Sequence, residues 1–334
     1  MKIRESLENR ERLNLSPYAT LSMNSRGREN EEEPCDIRPC FQRDRDRILY
    51  SKSFRRLKDK TQVFLTPDGD HYRTRMTHTL EVAQNARTIA RALKLNEDLA
   101  EAIAFGHDLG HTPFGHAGER ALNEVCPFGF RHNEQSLRTV EILEKDGQGL
   151  NLTFEVKDGI INHEMDLTPI TLEGRVVRLS DKIAYIHHDM DDAIRGGILK
   201  ESDVPERICK VIGHSNGEWL DTFIHDIVEN SSGRNDIMMS DEVWDALMAL
   251  RTFMFESVYT NPVAKGQEGK AENLIKILYQ YYMDNDDLLP DYLTRMRDTQ
   301  PKEKLVCDFI SSMTDRFAIA KFHQYFVPKS WEVL

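Results

Sequence analysis

Residues 171–195 carry the longest periodic signal in the chain. Leu172, Val176, Leu179, Ile183, Ile186 and Met190 recur every three or four positions, which places them on one face of an α-helix. Thr171 is a good N-cap residue type and Gly196-Gly197 end the run. A second row, Val177, Asp181, Tyr185 and Asp189, with His188 close by, lies beside the first. Asp, Tyr and Asp flanked by apolar neighbours are unusual for a purely solvated face, and such a row can line a cleft. The same period returns from Thr77, in Val82, Ala86, Ile89 and Leu93. It returns again after Asn96-Glu97-Asp98, an N-cap with an acidic first turn. Residues 44–59 and 154–163 look helical, and 203–230, 240–259, 270–284 and 301–320 are amphipathic at helical spacing. The one strand-like stretch is Thr61–Thr66, followed by the turn residues Pro67-Asp68-Gly69-Asp70. The chain is therefore expected to be all-α, with at most a short β-hairpin ending near Arg75.

Composition sets outer bounds. The 334 residues are 40% hydrophobic and 30% charged, enough for a sizeable core under a charged surface. No run of 18 apolar residues exists to span a membrane, and the start lacks the apolar stretch of a secretory signal. The net charge of −12 argues against general coating of nucleic acid. Five scattered cysteines, at 35, 40, 126, 209 and 307, suit free thiols in a cytoplasmic location. Cys35 and Cys40 find no second pair at zinc-site spacing. Residues 41–60 hold eight Lys/Arg and three Asp. Such a segment serves phosphate groups or forms a solvated helix face with intrahelical ion pairs. Residues 16–40 are polar, with Pro17, Pro34 and Pro39, and read as an arm, disordered without a ligand. The expected organisation is an N-terminal helix and arm (1–40), a core (41–200) and a helical C-terminal region packed on that core (201–334).

The chemistry concentrates at 106–116, Gly-His-Asp-Leu-Gly-His-Thr-Pro-Phe-Gly-His. Imidazoles and carboxylates are the usual ligands of divalent first-row metals and the usual acids and bases near neutral pH. A lone histidine is more often a satisfied core residue; four such groups among Gly and Pro favour a site. His107 is four after Ile103 and faces inward. Asp108 points about 100° away, so the two share an ion only at a helix edge. His78 is four before Val82, on that helix's inner stripe. Thr112-Pro113 reads as the N-cap and first residue of a next helix, on which His116 and Glu119 are neighbours at i and i+3.

Collected, His78, His107, Asp108 and Asp181 read H…HD…D. The pattern resembles the HD-domain metal-dependent phosphohydrolases. The stretches FRRLKDKTQVF (54–64), RTRMTHTLEVAQNARTIA (73–90), GHDLGHTPFGHAGERAL (106–122), HNEQS (132–136) and SDKIAYIHHDMDDA (180–193) are similar to the deoxynucleoside triphosphate triphosphohydrolase, or dGTPase-like, branch. That resemblance implies an HD-domain helical fold and usually a homo-oligomer. It implies cleavage of a dNTP between the nucleoside 5′ oxygen and the α-phosphorus, giving deoxynucleoside and tripolyphosphate. The divalent ion (Mn, Mg, Fe, Ni or Zn) would be held by His78, His107, Asp108 and Asp181. His116 would be catalytic with Glu119 as its carboxylate. His111 and Arg75 would face the phosphates with help from Lys182, and Gln62, Tyr185 and Asp189 would face the sugar. His132 is a further active-site candidate. A nucleotide activator and single-stranded DNA are candidate partners; a membrane is not. Two other readings share the metal residues or the fold: another HD-type nucleotide phosphohydrolase or phosphodiesterase, and a non-catalytic nucleotide- or single-stranded-DNA-binding regulator.

Overall fold

The computed structural model describes residues 2–62, 73–259 and 266–329. These residues fold into helices. Among them no strand forms, and the only extended pairings are isolated antiparallel bridges, Arg28 with Thr153 and Thr61 with Thr74. The tip of the expected hairpin, 63–72, lies outside the described residues.

Helix α1 is Ile3–Asn14 and α2 is Cys40–Leu49; α3 is Lys52–Arg56, α4 is Arg75–Ala92 and α5 is Glu97–Gly106. Helix α5 occupies the middle of the fold, packed by α2, α4 and two later helices, α8 (Phe154–Ile161) and α9 (Leu172–Arg195). Its sequence explains this position. The Asn96 side chain accepts a hydrogen bond from the Leu99 N–H at 3.3 Å, and Glu97 and Asp98 sit in the positive first turn. After that, Leu99, Ala100, Ala102, Ile103 and Ala104 are buried all round the helix, the pattern of a core helix. Helices α5 and α8 approach closely because each offers a glycine to the other's isoleucine. A Cβ on Gly106 would lie 2.4 Å from Ile160 Cδ1, and one on Gly159 would lie 2.4 Å from Ile103 Cδ1. Helix α9 runs as its periodicity predicts, with Thr171 Oγ1 accepting the Gly174 N–H at 3.0 Å.

Several expected helices are divided. The 44–59 stretch breaks at Tyr50-Ser51: the Ser51 hydroxyl caps α3, and Glu144 accepts the Lys52 and Ser53 N–H groups. The 203–230 stretch breaks at Gly213 (φ +99°) into α10 (Glu206–Ile212) and α11 (Asn216–Ser231). The 301–320 stretch divides into α14 (Lys302–Ser311) and α15 (Asp315–Phe326), with α12 (Asp241–Met254) and α13 (Glu268–Asp284) before them. Helix α6 (His116–Val125) starts later than expected, capped by Gly115 rather than Thr112; α7 (His132–Arg138) follows.

The basic segment makes local pairs, Arg45 with Asp46 at 3.4 Å and Lys58 with Asp59 at 2.8 Å, and also ties separate elements together. Arg28 pairs with Asp44, Arg47 with Glu32 at 2.7 Å, and Arg45 with Asp98 and Glu101 at 2.9 and 3.0 Å. The 16–40 arm is likewise anchored. Glu173 accepts from Thr20 N and Oγ1, and Glu155 accepts from Ser25 Oγ and Arg26 N. One apolar cluster runs from Phe41 to Val258. A second joins Phe114, Leu122 and Phe130 to Ile275, Leu278, Tyr282, Leu305 and Ile310. The tyrosine cluster is packing: Tyr282 is buried, and Tyr281 stacks on Tyr325 at 4.3 Å. All five cysteines are free, and no described helix is long and apolar enough to cross a membrane.

The glycine contacts differ in what an added methyl would strike. At Gly106 it meets the end of the Ile160 side chain; at Gly110 it meets Ser136 N at 2.2 Å and His132 O at 2.6 Å, both backbone. Overpacking costs about 1–3 kcal/mol when side chains can shift. Gly110→Ala should therefore destabilise the protein more than Gly106→Ala in urea unfolding. Equal losses would show that α7 gives way as easily as a side chain.

Candidate metal and catalytic site

Four donor atoms converge where α4, α5 and α9 meet. His78 is 1% exposed on the stripe that also carries Val82, Ala86 and Ile89. His107 is the C-cap of α5, so the chain turns there and His107 and Asp108 reach the same point from the helix edge. His78 Nε2 lies 3.1 Å from Asp181 Oδ1 and 3.7 Å from Asp108 Oδ2. His107 Nε2 lies 3.5 Å from Asp108 Oδ1 and 3.7 Å from Asp181 Oδ1. Ligands bonded at about 2.0–2.2 Å to one ion sit roughly 3 Å apart.

The hydrogen inventory fits a cation. His107 Nδ1 is 2.6 Å from Ala104 O and donates to it, which leaves Nε2 as a lone pair. Among the described residues that buried Nε2 has no hydrogen-bond partner, and it faces two carboxylates. A divalent ion would satisfy all three, and the second-nitrogen contact to a carbonyl is the usual support for a metal-bound imidazole. Burial alone would raise the carboxyl pKa of Asp108, yet His107, His111, Arg75 and His78 hold it well below the usual range. Asp181 is likewise held low against burial, by its hydrogen bond to His78 and the nearness of His107. Both are anions here.

Beside this cluster, Glu119 supports two imidazoles. Its Oε2 is 3.2 Å from His116 Nδ1; its Oε1 accepts the His132 backbone N–H at 2.8 Å and lies 3.0 Å from His132 Nδ1. His132 stacks on His111, centroids 3.9 Å apart, and its Nε2 meets His163 Nε2 at 3.2 Å and Glu164 at 3.3 Å. Burial would lower the pKa of His132, but Glu119 raises it. Burial, then Arg75 and His132, holds His111 well below the imidazole range, so it is neutral. His116 differs from all of these, with a side chain 54% exposed at the cleft mouth. Gly115 makes that placement possible. Its φ is +57°, and a Cβ there would lie 3.0 Å from Gln62 O and 3.1 Å from Arg75 Nη2.

The cleft encloses about 210 Å³ and collects nearly every residue singled out from sequence: Gln62, Arg75, His78, Asp108, His111, His116, His132, Asp181, Lys182 and Tyr185. His107 and Glu119 stand immediately behind these walls. Arg75 is buried and donates to Asp108 at 2.8 Å, so it balances a donor carboxylate as well as bordering the space. Asp189 is not brought to the cleft. It is 1% exposed, next to His188, whose ring packs 4.8 Å from His78. His163, Glu164, Met165 and Arg251 also line the cleft, beyond the residues that the sequence singles out. His163 shows in the sequence only as the end of a short helix, and Arg251 lies in an ordinary amphipathic segment.

Two expectations follow. Asp181→Ala should abolish stoichiometric divalent metal by elemental analysis, and the wild-type rise in Tm on adding Mn²⁺ should vanish with it; retained metal would remove Asp181 from the donor set. Glu119→Gln should retain the ion but cost more turnover than His116→Ala, since both His116 and His132 lose their partner. Equal losses would confine Glu119 to His116.

The chain is also similar in sequence to known proteins. Residues 75–186 match the HD domain, and 237–324 match the phosphohydrolase-associated domain. The chain is 56% identical over 331 residues, 99% of this chain and 98% of the relative, to a deoxyguanosinetriphosphate triphosphohydrolase-like protein of Caldanaerobacter subterraneus subsp. tengcongensis. It is 50% identical to one of Desulfatibacillum aliphaticivorans, covering 98% of this chain and 99% of that one. It is 48% identical to one of Clostridium perfringens strain 13, again covering 98% and 99%. His78, His107, Asp108, His116, His132 and Asp181 all fall within the HD-domain match, and the chain belongs to the deoxyguanosinetriphosphate triphosphohydrolase-like family.

Proposed function

We propose that the chain hydrolyses deoxynucleoside triphosphates to deoxynucleoside and tripolyphosphate, by attack of water on the α-phosphorus. The observation that carries this reading is the exposed imidazole of His116, braced by Glu119 at 3.2 Å, in the same cleft as the H…HD…D donors. The names of the relatives support the substrate class. The sequence has no G-x-x-x-x-G-K-[ST] loop, so the γ-phosphoryl cradle of ordinary NTPases is lacking.

A divalent ion held by His78, His107, Asp108 and Asp181 would supply Lewis acidity toward a phosphoryl oxygen and lower the pKa of water. The chain's own groups do the rest. Lys182 and Arg251 border the cleft and Arg75 stands at its floor, giving cations for a polyanionic chain. The leaving nucleoside alkoxide needs a proton, and His116 delivers it from Nε2 while Nδ1 stays on Glu119. Such a positioned acid contributes about 10²–10⁴-fold. His132, whose pKa Glu119 raises against burial, and neutral His111 border the phosphate side. Tyr185 and Gln62 form a wall suited to the sugar; among the described residues, buried Gln62 Oε1 has no hydrogen-bond partner.

Hydrolysis of dGTP in ¹⁸O-water should give unlabelled deoxyguanosine and tripolyphosphate with the label on a terminal phosphate. Orthophosphate or pyrophosphate as the first product would overturn the reading. Exclusion of a 2′-hydroxyl that finds no partner costs roughly 1–3 kcal/mol, so kcat/KM for GTP should fall roughly 5- to 150-fold below that for dGTP. Equal values would remove the sugar wall.

A further inference from the structure

The cleft is lined mostly by the HD region, with Gln62 before it and Arg251 after it, and two of its segments are tied to the α14–α15 corner of the C-terminal region. Lys60 is 2% exposed and donates from Nζ to His111 O and, at 2.7 Å, to Ser311 O at the end of α14. Asp315, the first residue of α15, divides its carboxylate. Oδ2 accepts the Thr61 N–H at 3.0 Å and the Thr61 hydroxyl; Oδ1 accepts the Phe114 N–H at 2.9 Å.

Both tied segments carry cleft residues. Thr61 precedes Gln62, and Arg75 N–H donates to Lys60 O at 3.1 Å. Phe114 lies between His111 and His116 and has a left-handed backbone, φ +64°, followed by Gly115 at +57°. A phenylalanine in that region is strained and persists only where its surroundings fix it. The Asp315 hydrogen bond supplies one such restraint, and burial of the Phe114 ring among C-terminal side chains supplies another.

We infer that Asp315 is a positioning residue for hydrolysis: by holding Phe114 N–H and Thr61 in one carboxylate, it fixes the left-handed turn that aims His116 at the substrate and keeps Gln62 opposite. With the Lys60 bridge, this makes the C-terminal region part of the apparatus that sets the geometry of the cleft. The inference rests on the reaction proposed above only for its kinetic arm.

The test is Asp315→Ala in the full chain, with Thr61→Val as a milder variant that keeps the backbone donor and the side-chain shape. For Asp315→Ala, kcat for dGTP should drop at least tenfold with KM within about twofold and divalent metal content unchanged. Asp315→Glu should recover part of the loss. In a His116→Ala background the Asp315 substitution should cost little more, because its effect runs through His116. Independently of turnover, amide exchange in peptides covering 111–118 should accelerate, and that in peptides covering 78–90 should not. Thr61→Val should show the same pattern more weakly, and it decides the matter if Asp315→Ala does not fold. Unchanged kcat with unchanged exchange at 111–118, or a loss fully additive with His116→Ala, would overturn the inference. If the wild type fails to turn over dGTP, the proposed reaction fails and the exchange arm alone decides the positioning role.

Discussion

Asp108 is a carboxylate with almost no contact with water, and an unpaired buried charge is among the costliest features a fold can carry. The surrounding elements answer it. Helix α4 contributes Arg75 in direct contact and His78 nearby, and the end of α5 contributes His107. Asp181 on α9 adds a second negative charge within reach of the same imidazoles. The protein therefore concentrates negative charge at one point and sets against it one guanidinium and the surrounding imidazoles. A divalent cation is the physical complement of that arrangement. The close α5–α8 packing around Gly106 and Gly159 then has a clear role: it fixes the helix end from which two of the four donors project.

Local pattern made much of this legible. Helix α9 is readable to within a residue because its stripe spans about five turns and both ends carry their own signals. His78 stood on an apolar stripe, and the inward turn of His107 followed from its distance to Ile103. Where sequence reasoning fell short, the deciding contact came from far away. Glu144 ends the helix at Tyr50-Ser51 from more than ninety positions along the chain. Thr112-Pro113 has every local mark of a helix start. The chain instead turns through Phe114 and Gly115, and the Thr112 hydroxyl goes to Gly115 O at 2.8 Å. The arginines of 41–60 read as phosphate ligands or surface charge, because the carboxylates they meet, such as Glu32 and Glu101, lie on other elements. His163 and Arg251 carry no local signature at all; only the fold brings them to the cleft.

The imidazoles also show how one residue type takes different roles within a few ångströms. Neutral His111, His132 raised by Glu119 against burial, and His163 lowered to about 4 by burial and its neighbours His107 and His132 stand in contact. Their differences come from which atoms their second nitrogens meet. His163 gives its Nδ1 proton to Ile160 O at 2.7 Å, so it accepts from His132 and helps define that ring's state. This is environment setting protonation, as expected where burial and charge partners differ between neighbours.

The cleft draws its walls from segments as far apart as Gln62 and Arg251, and this has a consequence for how the protein is made. Contacts of such sequence separation form late, because the intervening chain must first be ordered. During synthesis at about 5–20 residues per second, α4, α5 and α9 can associate and bury their apolar faces well before Arg251 leaves the ribosome. The nascent chain would then hold clustered carboxylates and imidazoles with one wall of the cleft missing. The long span between the donors and that wall thus acts as a timer, delaying a finished pocket until most of the chain has been synthesised.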